Sequence, residues 1–166
     1  MVDLASAMPL LALDAVVLDT ETTSLDPARA RLVEIGAIRL RAGRIEPDQR
    51  FHSLVDPGIP IPPVSTRIHG IDAARLKGAP EFAAAWSEFR KFLGDAVVVG
   101  HTIEYDLAVL AAECKRAGIP FRPPRTIDVR VLAEIAEPNL SGFSIEELAG
   151  WLKVPVQDRH SALGDA

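Results

Sequence analysis

The chain has 166 residues, of which 48% are hydrophobic and 25% charged, and its formal net charge is −5. This size and composition predict a single domain spanning residues 1–166 and exclude a disordered chain. The negative charge excludes a protein that coats nucleic acid with a basic surface, but not one that binds a few nucleotides. The single Cys114 excludes an internal disulfide. The N-terminus resembles neither a signal peptide nor a membrane span, so a cytoplasmic protein without membrane contact is expected.

The first half of the chain predicts three strands, a loop and a helix. Residues 15–20 form the short apolar run of a central strand, and residues 31–55 alternate around the turn RAGR as a hairpin does. The segment VDPGIPIPPVS, residues 55–65, contains too much proline for a strand or helix and predicts a loop. The segment EFAAAWSEFRKFLG then predicts a helix that stops at Gly94.

The second half predicts strands that alternate with helices. AVVVG is a buried strand that leads into the helix YDLAVLAAECKRAG, and a short strand near Thr126 leads into DVRVLAEIA. Ser144 and Glu147 form a capping box before IEELAGWL. A hairpin followed by strand–helix alternation predicts an α/β domain with a mixed sheet flanked by helices. The helix after AVVVG should bury one apolar face: Leu107, Leu110, Ala111 and Cys114.

Four carboxylates stand where these predicted strands and helices end. Asp19 and Glu21 follow the first apolar strand, and side chains two residues apart on a strand share one face. Asp106 lies in the first turn after AVVVG, near the carboxyl end of that strand, where ligands usually bind in open α/β sheets. Asp165 comes five residues after His160 in RHSALGDA.

The neighbourhood of these acids in the sequence is poor in cations. The first Lys or Arg of the chain is Arg29, and none occurs between Lys91 and Lys115. Oxygen ligands without basic neighbours suit Mg²⁺ or Mn²⁺ rather than zinc. The pattern therefore predicts a site for divalent metal, with two ions.

Each of these residues also has an ordinary interpretation. A D-x-E pair after a strand is often surface charge, Asp106 alone would complement a helix dipole, and His160 alone would be a solvated side chain. Two other functions fit parts of the pattern. A phosphatase of the haloacid-dehalogenase type also starts with a strand and an Asp, although it needs a second Asp where this chain has Glu21. A non-catalytic module of the same fold could retain the whole set.

Three motifs in order resemble those of the DEDDh 3′–5′ exonucleases, a family that includes the proofreading epsilon subunit of bacterial DNA polymerase III. They are VVLDTETTSLD, VVVGHTIEYDLAVL and RHSALGDA, and the last has the H-x-x-x-x-D spacing of the histidine subclass. STRIHGID and FSIEELAGWL are similar to segments that lie between the family's motifs. The resemblance spans residues 14–166. It implies a ribonuclease-H-like fold with about five strands, the first three antiparallel and the rest parallel.

The resemblance also implies roles for individual residues. Asp19, Glu21, Asp106 and Asp165 would be catalytic ligands of two Mg²⁺ or Mn²⁺ ions, and His160 the general base. The reaction would release nucleoside 5′-monophosphates from the 3′ ends of single-stranded DNA or RNA. A DNA polymerase subunit, or further domains of a longer chain, would be partners. Five residues would surround the terminal nucleotide: Thr22, Thr23, Leu25, His69 and Tyr105. For Leu25 and Tyr105, simple packing at the rim is an equally good interpretation.

The last helix of the resembling family continues past the residue that corresponds to Asp165. Here Asp165 is followed only by Ala166, and Gly164 beside it disfavours helix. We therefore expect a truncated final helix that frays. Repulsion within the acid cluster should then turn Asp165 away from Asp19 when no metal is bound.

Overall fold

The computed structural model describes residues 12–156 and 160–166. Its strands are β1 (Asp14–Thr22), β2 (Leu32–Arg41), β3 (Arg44–Leu54), β4 (Val97–Gly100) and β5 (Thr126–Asp128). They form one sheet in the order β3-β2-β1-β4-β5. β1, β2 and β3 pair antiparallel, β4 lies parallel to β1, and β5 lies parallel to β4. The predicted mixed sheet is confirmed.

Six helices accompany the sheet in the described ranges. They are α1 (Pro63–His69), α2 (Phe82–Leu93), α3 (Glu104–Arg116), α4 (Val129–Ala136), α5 (Ile145–Leu152) and α6 (Ala162–Asp165). The predicted end of α2 at Gly94 and the capping box of Ser144 and Glu147 are both confirmed. No helix in these ranges is long and apolar enough to cross a membrane.

The two faces of β1 have different surroundings. Val16 and Leu18 are buried in the main core, where they join apolar residues of α2 and α3 such as Phe89 and Leu110. Burial of this surface is the main stabilising contribution expected for a domain of this size. The alternate residues, including Asp19 and Glu21, point to the opposite face, which we call the site face. Directly across on β2 are Gly36, paired with Asp19, and Glu34, paired with Glu21.

The predicted loop over residues 55–65 is wrong at its end. α1 begins at Pro63, so residues 63–65 are helical. Proline is well accommodated at the first position of a helix, where its missing N–H would have no intrahelical partner and its fixed φ suits the helix. The density of prolines therefore marks a helix start here rather than a continuous loop.

The predicted apolar face of α3 is displaced. Leu110 and Cys114 are fully buried as expected, but Leu107 and Ala111 are only half-buried. The remaining buried positions are Asp106, Val109 and Glu113. A charged residue such as Glu113 is expected on the exposed face of a helix. Here it is buried, and Arg31 Nε lies 2.7 Å and Arg116 Nη1 3.2 Å from its Oε1. These ion pairs allow a carboxylate to be buried.

Candidate active site

Three of the four predicted metal ligands lie together on the site face. Oxygen atoms of Asp19, Glu21 and Asp165 are all within 4.8 Å of one another, and each side chain is partly buried. β1 supplies two of them because residues two apart on a strand share a face. α6 supplies the third by crossing over β1 and β2. Residues from opposite parts of the chain therefore meet in one small cluster of oxygen atoms.

The expectation that Asp165 turns away from Asp19 is wrong. α6 has only four residues, but local hydrogen bonds hold its turn. The Ser161 hydroxyl accepts the Gly164 N–H at 3.1 Å, as the side chain at a helix start commonly does. The Asp165 carboxylate accepts the His160 N–H at 3.2 Å. These bonds offset the fraying that a short helix with Gly164 would otherwise show.

Asp106 lies outside that group of three, beside Thr20 of β1. Its carboxylate is 4% exposed and accepts a hydrogen bond from the Thr20 hydroxyl at 2.6 Å. Burial and, to a smaller extent, the charge of Asp128 raise the pKa of Asp106 against the opposing bond from Thr20, and the result is a pKa of about 7. The bond from Thr20 thus ties Asp106 to the strand that carries Asp19 and Glu21.

Asp128 has a structural role that was not predicted from the sequence. Its carboxylate accepts the N–H groups of Thr102 and Ile103, each at 3.2 Å, and that of Arg130 at 2.9 Å. One side chain therefore holds the turn before α3 and also caps α4. Thr102 has a φ of 56°, a conformation that costs energy for a residue with a β-carbon. The signal that could have revealed this role is an Asp immediately before a helical pattern.

His160 is placed next to the acid cluster through its backbone. Its N–H donates to Asp165 Oδ2, and its side chain is exposed. Its φ of 62° lies in the left-handed region, which costs a residue such as histidine of order 1 kcal/mol or more. Strain of this kind persists where surrounding contacts fix the chain, and here Asp165 supplies such a contact.

Two of the predicted substrate residues contact each other beside the acids. The Tyr105 hydroxyl lies 2.6 Å from Thr22 Oγ1 and also donates to the Ser24 carbonyl. Burial raises the pKa of the Tyr105 hydroxyl, the Thr22 bond lowers it, and the charges of Asp106, Glu21 and Asp19 raise it further. Tyr105 is therefore close enough to the carboxylates to respond to their charge. It is also bonded to the loop that follows β1.

The other three predicted substrate residues differ in exposure. Thr23 is buried, where its hydroxyl accepts the Arg31 N–H at 3.0 Å, and Leu25 is 87% exposed. His69 is buried, and its Nδ1 accepts the Ile71 N–H at 3.0 Å. Burial lowers the pKa of His69, while Glu34 and the Thr22 backbone raise it. Thr23 and His69 thus make hydrogen bonds within the protein, whereas Leu25 is accessible.

With this geometry in view, comparison with known proteins decides the family. The profile of the family described as exonuclease (RNase_T) matches residues 16–166. This chain belongs to the exonuclease family. The relationship indicated by the three motifs is thereby confirmed, and the haloacid-dehalogenase alternative is rejected.

Individual relatives of this exonuclease chain agree with the family match. It is 34% identical over 152 residues to DNA polymerase III subunit epsilon of Aquifex aeolicus, covering 91% of this chain and 74% of that protein. It is 38% identical over 160 residues to a DNA polymerase III subunit epsilon-like protein of Rhodobacter capsulatus. That match covers 95% of this chain but only 23% of the relative, so the chain spans less than a quarter of it.

A solved structure of the same family has a similar fold. Exonuclease X, in complex with 5′ overhanging duplex DNA, superimposes with a TM-score of 0.74 at 26% sequence identity. The match covers 91% of this chain and 83% of that one. The five-stranded sheet and its flanking helices are therefore the ribonuclease-H-like fold of the exonucleases.

Proposed function

We propose that this protein is a DEDDh-type, metal-dependent 3′–5′ exonuclease acting on single-stranded nucleic acid. The observation that carries the proposal is the convergence of Asp19, Glu21 and Asp165 within 4.8 Å, in a chain of the exonuclease family. Partly buried carboxylate oxygens are the ligands that Mg²⁺ and Mn²⁺ prefer. The donor set therefore fits the metal that the proposed reaction requires.

Four carboxylates would hold the metal. When bound, two divalent ions would stabilise the charge that develops at phosphorus during attack by water. We assign Asp19, Glu21 and Asp165 as ligands on the site face, with Asp106 as the fourth. Asp106 suits this role because a nearby cation favours the ionised form that burial otherwise disfavours.

His160 would act as the general base. In its neutral form, the imidazole takes the proton from the attacking water, while Asp165 holds the backbone of the same turn. The exposed position of the His160 side chain leaves it accessible to water and substrate. The products would be nucleoside 5′-monophosphates released from a 3′ end.

The substrate would be bound at the rim formed by Tyr105 and Thr22. Leu25 is exposed beside this rim and is available to contact a base, whereas Thr23 and His69 are buried and the Thr23 carbonyl accepts a hydrogen bond from the Ser65 hydroxyl. DNA is the first substrate to test, because the relatives are named as DNA polymerase III epsilon proteins and exonuclease X was solved with DNA. The same names make a polymerase subunit, or further domains of a longer chain, the partner to look for.

Directional degradation tests the proposal. Oligonucleotides of matched DNA and RNA sequence, labelled at the 3′ or the 5′ end, are incubated with the protein and either Mg²⁺ or Mn²⁺. We expect the 3′ label to appear at once as mononucleotide, while the 5′ label passes through a ladder of shortened products. Release of the 5′ label first would contradict the polarity. No hydrolysis with either metal would favour the non-catalytic module.

A further inference from the structure

A buried glutamate on β2 bonds to the segment that carries Asp165. Glu34 is 2% exposed and faces Glu21 across the two strands. Its Oε1 lies 2.8 Å from His52 Nε2 and 3.9 Å from Arg75 Nη2. Its Oε2 accepts the Ala162 N–H at 2.7 Å. One carboxylate oxygen of Glu34 thus faces the side chains of His52 and Arg75, and the other accepts a hydrogen bond from the first residue of α6.

The neighbouring glycine makes room for the same segment. A β-carbon at Gly36 would lie 2.1 Å from the carbonyl carbon of Ala162 and 2.2 Å from the Leu163 nitrogen, which is far inside van der Waals contact. Gly36 and Glu34 are two residues apart and therefore share the site face. Gly36 pairs with Asp19, so the backbone of α6 lies directly beside that ligand.

We propose that Glu34 and Gly36 are positioning residues that place Asp165 in the metal site. The inference rests on the proposed function. Glu34 holds the backbone of α6 by one hydrogen bond, and Gly36 leaves room for that backbone against the strand. Together they bring Asp165 within reach of Asp19 and Glu21. A ligand from one short turn needs such support, because α6 alone is too short to be stable.

Glu113 is a buried glutamate with a different role. It is also 2% exposed and ion-paired, but it bonds Arg31 and the Leu32 N–H, and so links the start of β2 to α3. Gly150 provides the matching comparison for Gly36, since a β-carbon there would meet no atom within 4 Å. Glu113→Ala and Gly150→Ala are therefore matched controls for Glu34→Ala and Gly36→Ala.

The experiment uses Mn²⁺ alone as the probe and does not depend on turnover. The rise in melting temperature with Mn²⁺ concentration is measured for wild type, the four alanine variants and Glu34→Gln. We expect the half-maximal Mn²⁺ concentration to increase roughly 10–100-fold in Glu34→Ala and Gly36→Ala, the usual effect of removing support from a metal ligand. The two controls should retain the wild-type midpoint. Glu34→Gln should stay close to wild type, because its amide oxygen can still accept the Ala162 N–H.

Amide hydrogen exchange at Ala162, measured without metal, provides an independent readout. Exchange should accelerate in Glu34→Ala and stay slow in Glu34→Gln. Unchanged Mn²⁺ midpoints in Glu34→Ala and Gly36→Ala would overturn the inference. So would a Glu34→Gln variant as weak as Glu34→Ala, since charge rather than the hydrogen bond would then be responsible. A wild-type protein without any Mn²⁺ response would instead overturn the proposed function, and this inference with it.

Discussion

The acids that lie beside β1 have opposite environments. On the site face, Asp19 and Glu21 are partly exposed and lie beside Asp165, within 4.8 Å. On the core face, Thr20 donates a hydrogen bond to Asp106, which is 4% exposed. The first arrangement concentrates negative charge where a cation can enter. The second surrounds a carboxylate with protein and makes its ionised form costly.

This difference separates what each acid contributes to folding and to metal binding. Removal of a site-face acid relieves repulsion but deletes a ligand. Neutralising Asp106 removes the cost of burying its charge, while the hydrogen bond from Thr20 can be kept. The two faces should therefore respond differently to the same kind of substitution.

Asp19→Ala is expected to give the largest effect and to test the site face. Activity should fall below detection in Mg²⁺ or Mn²⁺, because a central ligand is lost. The metal-free melting temperature should stay unchanged or rise, because one of three crowded anions is gone. Oligonucleotide degradation and thermal denaturation measure the two effects. Asp95→Ala removes the same charge at an exposed position before β4 and serves as the control. A fully active Asp19→Ala variant would refute the assigned site.

His160→Ala should lower the rate roughly 10²–10⁴-fold, the usual range for a general base. A general base acts only when it is unprotonated, so the wild-type rate should rise with pH and then level off. The variant should lack that rise. A pH–rate profile under single-turnover conditions measures both. Identical profiles for variant and wild type would mean that His160 does not move the proton.

Asp106→Asn tests the core face through stability in metal-free buffer. Burial raises the pKa of Asp106 from its ordinary value of 3.8 to about 7. Between these pH values the folded protein holds a proton that the unfolded chain has released, so stability falls as pH rises through this window. The variant has no such proton. Its free energy of unfolding should exceed that of wild type by a few kcal/mol at pH 7.5, at about 1.4 kcal/mol per pKa unit.

Denaturant titrations at several pH values measure this difference. The advantage of Asp106→Asn should shrink as pH falls through this window and disappear below pH 3.8, where wild-type Asp106 is protonated in both states. The Asn side chain keeps an oxygen that can accept the Thr20 hydroxyl. Equal stability at every pH would show that burial does not perturb Asp106, and the contrast between the two faces would then fail.

Tyr105→Phe should have the smallest effect. It deletes the hydrogen bonds that the Tyr105 hydroxyl shares with Thr22 and Ser24 but keeps the ring, so about 1 kcal/mol of stability should be lost. Denaturant unfolding measures the loss, and a double-mutant cycle with Thr22→Val isolates the shared bond. If Tyr105→Phe lost more activity than its loss of stability explains, Tyr105 would be a substrate contact rather than a residue that only packs at the rim.

The sequence predicts the sheet well because periodicity and turn residues act locally. It identifies Asp19 and Glu21 as neighbours for the same reason, since strand geometry alone places them on one face. It misses the burial of Glu113 and the tie between Glu34 and Ala162, because both depend on partners more than 80 residues away. The predicted position of Asp165 is wrong for a related reason. Local helix propensity is weak there, and contacts with residues far away in the sequence decide its position.

The bond between Glu34 and Ala162 joins residues 128 positions apart. Closing so long a loop has an entropic cost that local structure cannot offset, so such contacts tend to form late in folding. On the ribosome, the sheet strands and the first two acids emerge well before α6 does. A nascent chain therefore cannot assemble the three-carboxylate cluster until residue 165 has emerged.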